Sequence, residues 1–123
     1  LITRAVVDKI GVCDGRFGLY GYEDDDYTHR ARLAGFKACV ARDVFIHHTG
    51  NQGRAGEASD YPALIEEAWE AYRAKWDLPP ELTHAAYAND TDRYVPTRPF
   101  DADLDYIPAP HPSSVEALVT RRT

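Results

Sequence analysis

The chain has 123 residues, of which 44% are hydrophobic, and its formal net charge is −6 at pH 7. This length allows one domain with a modest core. The negative charge and the scattered Lys and Arg residues argue against a nucleic-acid-binding surface, and no run approaches the roughly 18 apolar residues that a membrane-spanning helix needs.

Two helices separated by a glycine-rich loop are predicted in the first third of the chain. Apolar side chains at helical spacing predict the first helix over residues 4–10, with Gly11 as its expected stop. The loop covers residues 11–22. The second helix is predicted from about residue 24 to residue 34, with Gly35 closing it. Within it, an acid and an arginine four residues apart, Asp26 and Arg30, are expected to pair on the surface.

Two short strands are predicted after the second helix, over residues 36–40 and 44–46. A glycine-rich loop over residues 49–58 follows. A third helix is predicted from about residue 62 to residue 76, because large side chains recur there on one helical face: Ile65, Trp69, Tyr72 and Trp76.

The remainder of the chain is rich in proline and has no clear periodicity. We divide the chain into residues 1–78, which form the domain portion, and residues 79–123, a tail. The tail is expected either to wrap over the domain or to be a partly ordered linker. A short last helix is predicted from Ser113 to Val119.

Four consecutive acids, from Glu23 to Asp26, stand at the predicted start of the second helix. One interpretation is structural, because acids in the first turn of a helix stabilise it by about 0.3–1 kcal/mol each. However, four adjacent carboxylates repel one another, and one or two would satisfy the helix. The other interpretation is catalytic, because an aspartate held rigidly at a helix start can act as a general base towards a sugar hydroxyl.

Five short motifs, in this order and spacing, resemble the C-terminal half of family 2 glycosyltransferases, and a related arrangement occurs in the β-1,4-galactosyltransferases. They are Gly11-Val12-Cys13-Asp14-Gly15-Arg16-Phe17, Gly21-Tyr22-Glu23-Asp24-Asp25-Asp26, Arg30 with Leu33-Ala34-Gly35-Phe36, Ile46-His47-His48-Thr49-Gly50-Asn51, and Ala71-Tyr72-Arg73-Ala74-Lys75-Trp76. The resemblance covers about residues 1–78. It implies an α/β fold, namely the C-terminal half of the GT-A nucleotide-diphospho-sugar transferase fold.

The resemblance also implies an activity and assigns roles to residues. The activity is transfer of a sugar from a nucleotide-sugar donor to a hydroxyl of a saccharide or other acceptor, with inversion and with a divalent cation, Mn²⁺ or Mg²⁺. Asp24 is implied to be the catalytic base, and Glu23 and Asp25 are implied to bind acceptor hydroxyls. His48 is implied to be a metal ligand, with His47 as the alternative.

Three further residues are candidates with a structural alternative beside the functional one. Tyr22 either shapes the acceptor pocket or packs the loop. Trp76 either stacks on an acceptor sugar ring or, as its helical spacing suggests, packs in the core. Arg54 either reaches the donor diphosphate when its glycine-rich loop closes or is solvated.

The donor-binding N-terminal half of a GT-A domain is not recognisable in these residues. The start Leu1-Ile2-Thr3 resembles the end of a strand already under way, so we expect this chain to be a piece of a longer polypeptide. The alternative function is a non-catalytic carbohydrate-binding or scaffold remnant. Cys13 and Cys39 are expected to be reduced, which favours a cytoplasmic protein, at the inner face of the membrane as one option.

Overall fold

A computed structural model describes residues 1–18, 21–48 and 60–110. The regular elements in these ranges are helices, with short 3₁₀ turns at Gly15–Phe17 and Thr91–Tyr94. The described helices are α1 (Arg4–Ile10), α2 (Glu23–Leu33), α3 (Tyr61–Lys75), α4 (His84–Asn89) and α5 (Ala102–Asp105). None of these helices is both long and apolar enough to cross a membrane.

The predicted α/β fold, the C-terminal half of a GT-A domain with short strands, is wrong. The described residues contain no strand, and residues 36–40 and 44–46 lie in irregular backbone. The side chains of Val40, Phe45 and Ile46 are 85%, 88% and 81% exposed. A strand needs a neighbouring strand for its backbone hydrogen bonds, and β-propensity reflects packing against such a neighbour. Residues 36–40 and 44–46 have no such neighbour in the described structure, so their apolar composition does not produce strands.

The first helix is confirmed. The residue after it, Gly11, pairs with Ile107 near the end of the described chain. Gly11 has φ 77°, a left-handed conformation that favours glycine. A Cβ at this position would lie 1.8 Å from the carbonyl oxygen of Ile107. Gly11 and Ile107 form an isolated parallel bridge, in which the Val12 N–H donates to the Ile107 carbonyl at 2.8 Å.

The second and third helices are confirmed to within about a residue at their ends. Helix α2 begins directly at the acid run, and Gly35 follows it with φ 90°. Helix α3 has Pro62 in its first turn, where the missing N–H costs nothing. Of the predicted face, Trp69, Tyr72 and Trp76 lie in the core, whereas Ile65 is half-buried. The core cluster also contains Ala68 of the same helix and residues from the loop and the tail: Phe17, Tyr22, Leu82 and Tyr87.

The described part of the tail packs against the helices, as the first of the two alternatives predicted. Leu82 and Tyr87 are buried in the core, and the Asp105 carboxylate is buried beside Arg98. Burial opposes ionisation of Asp105, but two hydrogen bonds from Arg98, at 2.6 and 2.7 Å, and the Asp101 N–H outweigh it and lower the pKa of this carboxyl. The helix predicted from Ser113 to Val119 lies outside the described residues.

A buried histidine makes the stability of this core dependent on pH. His29 on α2 is 5% exposed, and its ring meets the Trp76 ring edge-on at 5.4 Å. Burial, helped by the charge of Arg32, lowers the pKa of His29 from 6.5 to about 4, although Asp26 acts in the opposite direction. Between these two values the unfolded chain binds more protons than the folded chain.

We therefore expect acid to remove the stability that neutral His29 provides. Its contribution is complete above pH 6.5 and falls by about 3 kcal/mol as the pH drops to about 4. His29→Gln keeps a polar nitrogen near the Tyr87 hydroxyl but cannot titrate. Urea unfolding at about pH 7.5 and about pH 4 should show that the free energy of unfolding falls more in the parent than in His29→Gln. Equal losses would contradict a neutral His29.

Candidate functional site

The four acids of the run face different environments. Successive residues on an α-helix point about 100° apart, so neighbours in the sequence do not share a face. Asp24 is exposed, Glu23 and Asp25 are half-buried, and Asp26 is 0% exposed. The run thus divides into one acid in the core and three at or near the surface.

Asp26 belongs to a buried ionic cluster rather than to the surface pair that the sequence predicted. Its carboxylate accepts hydrogen bonds from Arg30 Nε at 2.7 Å and from Trp76 Nε1 at 3.1 Å, and Lys75 Nζ lies 2.6 Å away. Arg30 also donates to the carbonyl oxygens of Ile10 and Val12, at 2.9 and 3.0 Å. This cluster connects α2 with α3 and with the end of α1, so it positions the acids that precede Asp26.

Asp24 and Asp25 line a groove of about 320 Å³ between the start of α2, the first half of α3 and α4. Ile65 contributes apolar surface to this groove. The complete lining, which we call the acid groove, is Gly21, Tyr22, Asp24, Asp25, Ile65, His84, Tyr87, Ala88 and Thr91. Three of the predicted acceptor-side residues, Tyr22, Asp24 and Asp25, therefore lie together at a concave surface.

The acids of the groove differ in their surroundings. One oxygen of Asp24 accepts the Asp25 N–H at 2.9 Å, and its second oxygen has no partner among the described residues. Burial, followed by the charges of Asp24 and Glu23, raises the pKa of Asp25. One oxygen of Glu23 is buried without a hydrogen-bond partner in the described part of the chain. Asp24 therefore combines an unpartnered carboxylate oxygen with a place in the groove lining.

Tyr22 packs in the core, as one of its predicted alternatives states, and it also lines the acid groove. Its ring packs in the core, with centroids 4.9 Å from Tyr72 and 5.4 Å from Trp69. Its hydroxyl reaches the acid groove and lies 3.1 Å from Nδ1 of His84. The residue has φ 69°, a left-handed conformation that costs a side chain of this size roughly 1–2 kcal/mol. Core packing holds Tyr22 in this conformation, and the hydroxyl position is fixed as a result.

The other predicted site residues in the described ranges, Glu23 among them, do not line this groove. Trp76 is buried in the core with its indole N–H on Asp26, so its position does not fit an acceptor-binding ring. His47 and His48 are exposed in irregular backbone and are not part of the groove lining. Arg54 lies outside the described residues.

The described residues do not by themselves provide a metal site. Within residues 1–18, 21–48 and 60–110, no three His, Cys, Asp or Glu side chains are grouped closely enough to bind an ion. His48 or His47 would therefore need further ligands from elsewhere to hold Mn²⁺ or Mg²⁺.

His84 is a groove residue that the sequence did not predict. It lies in the proline-rich tail, where no periodicity indicated a helix. The available signal was local: Thr83 precedes it as a helix cap, and its hydroxyl accepts the Ala86 N–H at 3.2 Å. Recognising that cap would have placed His84 and Tyr87 one turn apart on one helical face.

No family model, no curated protein and no solved structure matches this chain. The resemblance to family 2 glycosyltransferases therefore depends on the five motifs alone. The acid groove is an independent observation, because it follows from the packing of the helices and not from the motifs.

Proposed function

We propose that this chain is the acceptor-side portion of a glycosyltransferase, which transfers a sugar from a nucleotide-sugar donor to a hydroxyl of a saccharide acceptor with inversion. The main support is the position of Asp24, which has a free carboxylate oxygen at a groove that Tyr22 and Asp25 also line. Asp26, by contrast, is engaged in the core. An acid run with only a capping role would not require such a groove.

In the proposed reaction, Asp24 accepts the proton of one acceptor hydroxyl. The oxygen of that hydroxyl forms a bond with the anomeric carbon of the donor sugar, from the face opposite the leaving group. The bond between the anomeric carbon and the diphosphate oxygen breaks, and its electron pair leaves with the nucleoside diphosphate. This single displacement inverts the anomeric configuration. Asp25 and Tyr22, which line the groove with Asp24, bind neighbouring hydroxyls and orient the acceptor.

The proposal includes a donor-binding N-terminal half in the same polypeptide. Large apolar side chains of the segment before residue 49, among them Val40, Phe45 and Ile46, are more than four-fifths exposed. Exposed apolar surface of this kind is typical of an interface. A divalent cation is part of the proposal, with His48 or His47 as one ligand, and so is a cytoplasmic location, at the inner face of the membrane as one option.

The test is a transfer assay on the longer polypeptide that contains this chain. It is incubated with a panel of nucleotide sugars and saccharide acceptors in the presence of Mn²⁺ or Mg²⁺. We expect acceptor-dependent release of nucleoside diphosphate, an inverted linkage in the product, and loss of turnover on chelation. Saccharide binding without transfer from any donor would contradict the proposal and favour the non-catalytic carbohydrate-binding alternative.

A further inference from the structure

We propose that α4 forms the second wall of the acceptor site and that His84 is a positioning residue, which binds the hydroxyl next to the one that reacts. The acceptor would then be a saccharide with two neighbouring hydroxyls at its reacting end. This inference depends on the proposed function, because it names the acceptor of the same site.

The side chain of His84 is exposed, and its backbone is held by α4. It is the first residue of α4, whose N-terminus is capped by Thr83. Leu82 before it and Tyr87 after it are both buried in the core. The Tyr87 ring lies 5.2 Å from Trp69, so α4 is anchored on α3. Together with the Tyr22 contact, this anchoring places His84 in the lining of the acid groove with Asp24 and Asp25.

The contact with Tyr22 occupies one nitrogen of His84 and leaves Nε2 as the nitrogen that can bind a ligand. Burial, followed by the charge of Asp25, raises the pKa of Tyr22 to about 12, so its hydroxyl keeps its proton at neutral pH. That hydroxyl lies 3.1 Å from Nδ1 of His84. In the proposed tautomer of the neutral imidazole it donates to Nδ1. Nε2 then bears the ring proton. Nε2 has no partner among the described residues, so it is free to donate.

The two walls of the acid groove therefore offer opposite hydrogen-bonding groups. Asp24 and Asp25 present carboxylate oxygens, which accept, and His84 presents an N–H, which donates. One hydroxyl of a vicinal diol can donate to the carboxylates while its neighbour accepts from His84. Ile65 and Ala88 provide an apolar surface that suits the C–H face of a sugar ring. The volume of about 320 Å³ is at the lower end for ligand sites, which fits a single terminal sugar.

Two substitutions of His84 distinguish the contributions of its two ring nitrogens. His84→Asn retains a group near the Nδ1 position that can accept from Tyr22 but has nothing at the Nε2 position. His84→Gln places its amide nitrogen near Nε2 and retains a donor there. We expect His84→Asn to raise the acceptor KM about tenfold, the worth of one hydrogen bond of this kind. Donor KM should stay unchanged, and His84→Gln should be close to the parent.

Acceptors that lack the neighbouring hydroxyl provide the decisive comparison. In the parent, the KM for such a deoxy acceptor should be about tenfold higher than the KM for the intact acceptor. This is the same increase that His84→Asn should show with the intact acceptor. In His84→Asn the two acceptors should be nearly equal, because the donor for that hydroxyl is gone. Asn89→Ala, on the exposed end of the same helix, is the control and should discriminate as the parent does. An undiminished preference in His84→Asn would overturn the assignment.

A binding measurement keeps this test independent of turnover. Calorimetry with the full chain compares the diol saccharide with its deoxy analogue, in the parent and in His84→Asn, after thermal melting has shown that both are folded. If the parent prefers the diol and His84→Asn does not, the result would support the binding of that hydroxyl by His84, even if no sugar is transferred. Equal affinities in the parent would contradict the inference, whatever the outcome for the proposed transferase.

Discussion

Replacing Asp26 with alanine is expected to lower the free energy of unfolding by about 3–5 kcal/mol. The Asp26 side chain is fully buried and contacts Arg30, Lys75 and Trp76. Removing the carboxylate leaves the Arg30 guanidinium buried without its countercharge, because its other hydrogen-bond acceptors are uncharged backbone carbonyls. The charge of Lys75 is still compensated, because its Nζ lies 2.9 Å from the Asp14 carboxylate. Urea unfolding measures the difference.

A second ion pair in the chain is a matched control for this prediction. Arg4 and Asp8 are also four residues apart on a helix and 2.7 Å apart, but both are well exposed. Water screens such a pair, so Asp8→Ala is expected to cost at most about 1 kcal/mol. Asp26→Asn keeps the shape of the side chain and removes its charge, so its loss of unfolding free energy should lie between those of Asp26→Ala and Asp8→Ala. If Asp26→Ala costs no more than Asp8→Ala, the buried cluster does not stabilise the fold as described.

Helices α1, α2 and α3 were predictable because their signals are local, whereas α4 and α5, in the proline-rich tail, were not predicted. Apolar spacing identified α1, α2 and α3, and Gly11 and Gly35 marked two of the ends. Each of these features depends on residues within one or two turns of one another. The core stripe on α3 was predictable for the same reason, since a face of large side chains at helical spacing must be buried somewhere.

The strands were not predictable from the same kind of evidence. Residues 36–40 and 44–46 have the composition of short strands, but a strand exists only if another strand pairs with it. The parallel bridge that does form joins Gly11 to Ile107, which are distant in sequence. Composition around either residue gave no indication of that contact.

The candidate site was partly predictable. The acid run was recognised, and Asp24, Asp25 and Tyr22 do line one groove. The run could not reveal that Asp26 points into the core, because that depends on where Lys75 and Trp76 lie on α3. The opposite wall, with His84, comes from the tail about sixty residues away in sequence, and only the packing of Leu82 and Tyr87 brings it there.

Replacing Asp24 with asparagine is expected to lower kcat by about 10²–10⁴-fold, the usual contribution of a general base. Asparagine has nearly the same shape, but its amide oxygen does not accept the proton of an attacking hydroxyl. The Asp25 N–H can still donate to that oxygen, so the start of α2 should keep its structure. Binding of the nucleotide sugar should not change, because the proposed donor site lies in the other half of the polypeptide.

The most direct measurement is therefore acceptor-dependent sugar transfer by the longer polypeptide, with nucleotide binding measured on the same samples. Asp8→Asn, an exposed acid on α1 and away from the groove, is the control and should leave kcat unchanged. The account predicts that Asp24→Asn binds nucleotide like the parent and turns over at least about 10²-fold more slowly. An Asp24→Asn variant that transfers sugar at the rate of the Asp8→Asn control would contradict it.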